Sequence, residues 1–189
     1  MANTKTVTIV FTDLVGSTAL LSRVGEERAE ELRSEHFGIL RDTIARTGCR
    51  EVKNLGDGLM IVADSAARGA ACAVEIQQAF ASRNRRAEEP LMVRVGVSLG
   101  DADVEDDDYF GVPVVEAARL CTHAEGGEIL VADVVRHLSG TRSGLVFESV
   151  GPLDLKGLDN PLETSRVVWT PVDPMEERPT FPARWMRPG

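Results

Sequence analysis

The chain has 189 residues, of which 43% are hydrophobic and 27% charged, and this composition is typical of one globular domain rather than a disordered chain. Its net charge of -9 and its aromatic content of 5%, with no basic patch among aromatic residues, argue against a nucleic-acid-binding protein. An anionic ligand would therefore need cations to bring it in.

The cysteines and the hydropathy pattern bear on location. Cys49, Cys72 and Cys121 are odd in number and have no disulfide-framework or metal-ligand spacing, which predicts reduced thiols in or near a core. No uninterrupted apolar stretch is long enough to cross a bilayer, so we expect no membrane segment. Together these features predict a cytoplasmic protein.

Strand and helix patterns alternate along the chain. A β-branched run predicts a first strand that ends at Asp13, and apolar residues at helical spacing predict a long amphipathic helix that stops at Gly48. The predicted elements are a strand 6–12, a short helix from 16–18 to 23, a helix 26–47, a hairpin 52–62, a helix from 64 or 65 to 83, a strand 91–100, an acidic stretch 101–108, a helix 111–124, a strand 128–131, a short helix 134–138, and strands 146–150, 153–156 and 164–169. This order predicts an α+β ferredoxin-like βααββαβ sandwich with extra C-terminal strands.

Proline content divides the chain near residue 170. Five of the nine prolines follow Thr170, which predicts one domain over residues 1–170 and a Pro-rich C-terminal tail over 171–189. Phe181 and Trp185 of that tail have side chains able to dock on the domain.

The predicted hairpin carries polar residues that a simple turn does not need. Gly56 and Gly58 allow a sharp reversal that holds Asp57 at an exposed tip, and Lys53 precedes it on the first strand. Gly-Asp-Gly turns are common, so a functional interpretation depends on partners elsewhere in the chain.

Asp13 offers such a partner. It follows an apolar strand and precedes a loop whose amides run into a helix N-terminus, which is an arrangement suited to phosphate. The residues of that loop are Leu14, Val15, Gly16, Ser17 and Thr18. The simpler interpretation of Asp13 alone is a helix cap. Beside Asp57, however, it would complete a pair of carboxylates able to share two divalent ions.

Other catalytic signatures are absent. The chain has no P-loop, complete GxGxxG, HExxH or GxSxG motif, and His36, His123 and His137 have unrelated spacings typical of ordinary core or surface histidines. These absences remove zinc and serine hydrolases from the leading interpretations and leave carboxylate chemistry.

Four sequence blocks together resemble the class III nucleotidyl cyclase catalytic domain, in particular bacterial single-domain adenylyl cyclases. The blocks are 11–18, 53–58, 108–120 and 155–158, and the resemblance covers about residues 5–169 in the family's order. It implies a head-to-tail homodimer with two sites at the interface, which converts ATP to 3',5'-cyclic AMP and pyrophosphate.

The resemblance also implies a role for each matching position. Asp13 and Asp57 match the aspartates that hold two Mg²⁺ or Mn²⁺ ions per site, and residues 14–18 match the phosphate-binding loop. The remaining matches are Lys53 and Asp108 to the base-selecting pair, Arg119 to the arginine that stabilises the transition state, and Lys156 to a lysine on the terminal phosphates. In each site one subunit would supply the metal ligands and the other subunit the base-selecting pair, Arg119 and Lys156.

One position departs from the family. An asparagine usually lies four residues before the transition-state arginine, and here that residue is Val115, which cannot donate a hydrogen bond. Loss of one preorganised donor typically costs about 10² to 10³ in turnover. The neighbouring acidic residues Glu105 to Asp107 are expected to form a solvated hairpin tip rather than extra metal ligands.

Two other functions stay open at this stage. A guanylyl cyclase would present mismatched groups at both Lys53 and Asp108. A noncatalytic nucleotide-binding dimerisation module is compatible with Val115, but the presence of both aspartates, Arg119 and Lys156 disfavours it. A diguanylate cyclase is a remoter alternative, because the GG[DE]EF signature is missing.

Overall fold

The computed structural model describes residues 3–173 and arranges them as one mixed sheet with helices on both faces. The strands are β1 (Asn3–Leu14), β2 (Arg50–Asn54), β3 (Leu59–Ala63), β4 (Val93–Glu105), β5 (Asp108–Phe110), β6 (Ile129–Ala132), β7 (Val146–Leu153) and β8 (Leu162–Val168). The helices are α1 (Ser17–Val24), α2 (Glu26–Thr47), α3 (Ala66–Asn84), α4 (Val112–His123) and α5 (Asp133–Ser139), with a 3₁₀ turn at Thr141–Ser143.

The strand order confirms the predicted fold class. The strands follow each other as β2-β3-β1-β4-β6-β8-β7, and β5 forms a hairpin with β4. The first four strands are antiparallel and have the ferredoxin-like order, whereas β6 joins β4 in parallel and starts the C-terminal extension. β1, whose end carries Asp13, lies inside this sheet between β3 and β4.

Each face of the sheet has its own core, because side chains alternate along every strand. Val10 and Leu14 of β1 pack in a large cluster with α2, α3 and α5, while Val7 and Ile9 face the other way, into a smaller cluster that includes Ala117 of α4. α4 is therefore the helix that covers the second face, and Asp13 belongs to that face by its position in β1.

Two strands extend further than the sequence pattern predicts. β1 continues past Thr12 through Asp13 to Leu14, and β4 continues past Gly100 into the acidic stretch. The extension of β4 is stabilised across the strands, since Thr4 Oγ1 donates to Asp103 Oδ1 at 2.9 Å and Thr6 donates to Asp101. The predicted solvated tip is smaller and lies at Asp106 and Asp107, which both have positive φ angles.

The predicted strand 153–156 is wrong. β7 runs on to Leu153 through an irregularity at Ser149 to Gly151, as an edge strand can, and the chain then leaves the sheet. Leu155 is instead buried beside Leu120 of α4 and has no strand partner in the described region.

The long helix α2 has the predicted bounds. His36 and Phe37 are buried in it together with Leu32, Leu40 and Ile44, whereas Ala29 and Ile39, which share the helical spacing of apolar residues, are only partly buried. At the next helix, Ser65 is the residue that caps α3, with its side chain accepting from the amide of Arg68.

The three cysteines lie where the sequence predicts. Cys72 and Cys121 are buried and Cys49 is partly buried, and all three are free thiols. Burial, helped by the nearby negative charge of Asp13, raises the pKa of Cys121 to about 12, so this thiol stays protonated.

Only the first three residues of the predicted tail are described. The carbonyls of Thr170 and Val172 accept hydrogen bonds from Gln78 of α3 and from Arg85, the residue that follows α3. The rest of the tail prediction, with Phe181 and Trp185, lies outside the described residues. Among residues 3–173, no helix combines the length and apolar character needed to cross a membrane.

Candidate active site

The tip of the β2–β3 hairpin is bonded to the end of β1. The amide of Leu14 donates to the carbonyl of Asp57 at 2.9 Å, and the buried hydroxyl of Thr12 accepts from the amide of Leu59 at the same distance. Asp13 lies between these two bonds, so the backbone fixes Asp13 next to Asp57.

Gly58 is what lets the two segments come so close. A Cβ atom at this position would lie 1.7 Å from the carbonyl oxygen of Thr12, a distance that no side chain tolerates. Gly56 contributes the turn, with a φ of 104° that glycine adopts readily. Gly58 therefore allows the close contact with β1, and Gly56 allows the backbone conformation of the turn.

Both carboxylates have one oxygen held by a donor from their own chain. Arg94, which lies opposite Asp13 in the β1–β4 register, donates from Nε and Nη2 to Asp13 Oδ2 at 2.6 Å, and its Nη1 donates to the carbonyl of Thr122 at 2.8 Å. Ser17 Oγ donates to Asp57 Oδ2 at 3.1 Å. The sequence analysis missed Arg94, because nothing local to residue 94 indicates that it faces Asp13.

The electrostatics of the pair favour a bound cation. Burial raises the pKa of Asp13, and the neighbouring Asp57 carboxylate raises it further, against the opposing effect of Arg94. No cluster of three or more acidic, histidine or cysteine ligands occurs in residues 3–173. Two carboxylates nevertheless fit Mg²⁺, which is commonly held by one or two carboxylates together with substrate phosphates.

The predicted phosphate loop divides into two parts. The amides of Leu14 and Val15 already donate to the carbonyls of Asp57 and Met92, at 2.9 and 2.8 Å. Gly16, Ser17 and Thr18 precede the first intrahelical bond of α1, from the amide of Leu20 to the carbonyl of Gly16, so their amides point out of the helix end. These three amides of the loop, together with that of Ala19, can meet an anion.

The second predicted pair is already formed within one chain. Lys53 Nζ lies 2.6 Å from Asp108 Oδ2, and Asp108 Oδ1 accepts from the amide of Tyr109 at 2.8 Å. Burial opposes the ionisation of Asp108, but Lys53 and the Tyr109 amide outweigh it, so the pKa of Asp108 is lowered. A carboxylate acceptor and an ammonium donor therefore lie side by side on β5 and β2.

Exposed apolar side chains follow Asp108 in the chain, at the end of β5 and the start of α4. Phe110 is 47% exposed and its ring centroid lies 5.7 Å from Lys53 Nζ, while Val112 and Val115 on α4 are 63% and 38% exposed. Exposed apolar groups of this kind indicate a surface that meets a ligand or another protein.

Arg119 and Lys156 bond to neither pair. Arg119 lies on α4, which sits so close to β4 that a Cβ on Gly96 would be 2.2 Å from the carbonyl oxygen of Ala117. Its guanidinium makes no hydrogen bond or ion pair with another described residue, and the same holds for the exposed ammonium of Lys156, between β7 and β8. Both cations are thus available to an anionic ligand.

Comparison with known proteins gives one consistent family. Residues 1–168 match the family model of the adenylate and guanylate cyclase catalytic domain. A putative adenylate cyclase of Rhizobium meliloti is 31% identical over 177 residues, which is 93% of this chain and 30% of that protein. The chain therefore spans about a third of the length of this relative.

Solved structures agree on the fold. The crystal structure of an adenylate/guanylate cyclase/hydrolase from Silicibacter pomeroyi has a TM-score of 0.79 at 31% identity and covers 91% of this chain and 100% of its own. The guanylyl cyclase Cya2 has a TM-score of 0.77 at 22% identity, covering 93% and 97%, and shows the shared fold alone. The fold therefore does not decide between adenine and guanine.

Proposed function

The chain belongs to the adenylate and guanylate cyclase catalytic domain family, and on this premise we propose that it is a cytoplasmic adenylyl cyclase that converts ATP to 3',5'-cyclic AMP and pyrophosphate. The choice of ATP as substrate rests on the Lys53–Asp108 pair, in which Lys53 Nζ lies 2.6 Å from Asp108 Oδ2.

This pair has the hydrogen-bonding pattern of an adenine reader. The Lys53 ammonium can donate to adenine N1, and the Asp108 carboxylate can accept from the N6 amino group. Guanine has a donor at N1 and an acceptor at O6, so it would leave both side chains mismatched. Sites that leave buried polar groups unpaired reject the wrong substrate by up to about 10⁴- to 10⁵-fold.

Asp13 and Asp57 would act as the metal ligands. Two divalent ions held there would lower the pKa of the ribose 3'-hydroxyl and neutralise charge on the triphosphate. In the chain itself, Arg94 and Ser17 each hold Oδ2 of one of these carboxylates, which would leave the Oδ1 atoms for the metal.

The remaining residues would stabilise the phosphates. As the 3'-oxygen attacks the α-phosphorus and pyrophosphate leaves, negative charge accumulates on the phosphate oxygens. Arg119 would meet this charge at the α-phosphate, Lys156 at the terminal phosphates, and the amides of residues 16–18 at the helix end. The protein would then contribute by positioning the substrate and by stabilising the charge on its phosphates, because the reaction needs no covalent intermediate with the enzyme.

We further propose a homodimer with composite sites, formed by residues 1–170 of each copy. Exposed Phe110, Val112 and Val115 beside the base-selecting pair support this, since a second copy would cover them. In each site one subunit would provide Asp13 and Asp57, and the other would provide Lys53, Asp108, Arg119 and Lys156.

Identification of the product tests the proposal. The full chain is incubated with ATP or GTP and either Mn²⁺ or Mg²⁺, and the nucleotides are separated and identified. Cyclic AMP from ATP, with little cyclic GMP from GTP, is expected. A preference for GTP would instead make the protein a guanylyl cyclase. Nucleotide binding without any cyclic product would point to a noncatalytic module, in line with Val115.

A further inference from the structure

A cavity of about 650 Å³ lies between α1, the first half of α2 and the tip of the β2–β3 hairpin. Leucines form much of its wall, namely Leu14, Leu20, Leu21 and Leu55. A space of this volume with apolar walls is in the range of small-molecule sites.

One wall of the cavity is loosely packed. None of the eight residues of α1 is buried, and Leu21 is 45% exposed although it faces the cavity. Glycines with positive φ angles, Gly16 and Gly25, lie at both ends of this helix. A short helix with no buried residue and a glycine at each end can shift at low cost.

A buried histidine lies at the inner side of the same cavity. His36 is fully buried, and neither ring nitrogen has a partner of good hydrogen-bond geometry within residues 3–173, although the backbone of Asp57 lies near enough to the ring to favour its protonated form. Its ring packs against the rings of Phe37 and Phe80, with centroids 4.9 and 5.4 Å away. Because an unpaired buried polar group is costly, a ligand group that reaches this imidazole gains a hydrogen bond that the protein alone does not make.

The charges at the cavity favour a cation. Glu26, Glu30 and Asp57 contribute carboxylates to its lining, against the single guanidinium of Arg33. Glu26 also lies in the first turn of α2, where an acidic residue is favourable in any case. Glu30 has no such explanation and no ion pair among the described residues.

We propose that this cavity binds a small organic cation with an apolar body and a hydrogen-bonding group at its far end. The ammonium lies at the mouth, beside Glu30 and Glu26, and the apolar body contacts the leucines of α1 and the hairpin. The far polar group reaches His36 once α1 has moved outward. The cavity shares Asp57, Ser17 and Thr18 with the proposed metal and phosphate site, so binding is tested without metal or nucleotide, where it does not depend on the proposed cyclase activity.

Three six-carbon probes test the chemical class on the full chain without metal or nucleotide. Aminohexanol carries an ammonium and a hydroxyl, hexylammonium lacks the hydroxyl, and hexanoate has a negative head instead. Binding is followed by calorimetry and by hydrogen exchange of α1. Aminohexanol should bind saturably and increase hydrogen exchange in α1. Compared with aminohexanol, hexylammonium should bind about two- to tenfold more weakly and hexanoate at least about tenfold more weakly.

Variants locate the site. Glu30→Gln should weaken aminohexanol binding about two- to fivefold, as expected for one exposed ion pair, while Glu27→Gln on the same helix should have no effect. Leu21→Trp should block the cavity, and Val134→Trp, on the exposed side of α5, is its matched control. The His36→Leu variant should bind aminohexanol and hexylammonium with equal affinity.

Several results would overturn the inference. If hexanoate binds as tightly as aminohexanol, the charge argument is wrong. If Leu21→Trp and Glu30→Gln bind aminohexanol as tightly as the wild type does, the probe binds elsewhere on the protein. If no probe binds and Leu21→Trp instead changes self-association in sedimentation, the cavity is a contact between two copies and the proposal is wrong.

Discussion

The pH dependence of stability should reveal the buried state of His36. Burial lowers the pKa of this imidazole from 6.5 to about 4, so the folded protein keeps it neutral over a range in which the unfolded chain binds a proton. Because the pKa is lower in the folded state than in the unfolded chain, the neutral imidazole contributes its full stability above pH 6.5. This stability is lost as the pH falls toward 4. At pH 5 the loss is about 2 kcal/mol by linkage, and at pH 7.5 it is close to zero.

The assay compares wild type with His36→Leu by urea unfolding at pH 7.5 and pH 5. Between these pH values the wild type should lose about 2 kcal/mol more of its unfolding free energy than the variant, or about 4–8 °C in Tm. Leu40→Val is the matched control, since Leu40 is also fully buried on α2 and carries no titratable group. It should lower stability equally at both pH values.

Equal pH dependence in wild type and His36→Leu would refute this reasoning. His36 would then be solvated or hydrogen-bonded in the folded protein, and the argument from an unpaired imidazole at the cavity would fail with it.

Three further predictions concern catalysis. Asp57→Ala should reduce cyclase activity by more than about 10²-fold without lowering Tm, because it removes a metal ligand and also a carboxylate that repels Asp13; near-normal turnover would exclude the metal assignment. Lys53→Glu combined with Asp108→Cys should raise the use of GTP relative to ATP, measured as the ratio of cyclic products, since the hydrogen-bonding pattern is inverted; an unchanged ratio would mean that other groups read the base. Mixing inactive Asp57→Ala and Arg119→Ala proteins should restore up to about a quarter of wild-type activity, because about half the dimers are mixed and one of their two sites is intact. Mixtures that exchange subunits and stay inactive would contradict composite sites.

The sequence predicts this fold well where the determining interactions are local. The hairpin that carries Asp57 follows from two glycines between apolar runs, and the bounds of α2 follow from its spacing and from Gly48. The extension of β4 is different, because acidic residues disfavour strands. Asp101 and Asp103 are held there by threonines about a hundred residues away, and no short-range pattern encodes that pairing.

In the candidate site, too, sequence motifs predict some contacts, whereas others depend on long-range packing. The resemblance supplied its residues, and the structure brings two of the expected pairs together, Lys53 with Asp108 and Asp13 with Asp57. The contact of Arg94 with Asp13 depends on the β1–β4 register, and the sequence gives no sign of it. Likewise, the burial of His36 depends on how α1 and the hairpin close over α2, which periodicity cannot predict.

The pairing of β1 has a consequence for synthesis on the ribosome. β1 pairs with β4 along its whole length, from Asn3 opposite Val104 to Leu14 opposite Val93, so one edge of β1 stays open while about 80–100 further residues are made. Its other edge pairs with β3, from Thr8 opposite Ala63 to Phe11 opposite Met60, and that partner emerges much earlier. At about 5–20 residues per second, the delay between the two pairings is a few seconds. Asp13 and Asp57 can thus meet in the nascent chain before Arg94, the cation that later holds Asp13, has been made.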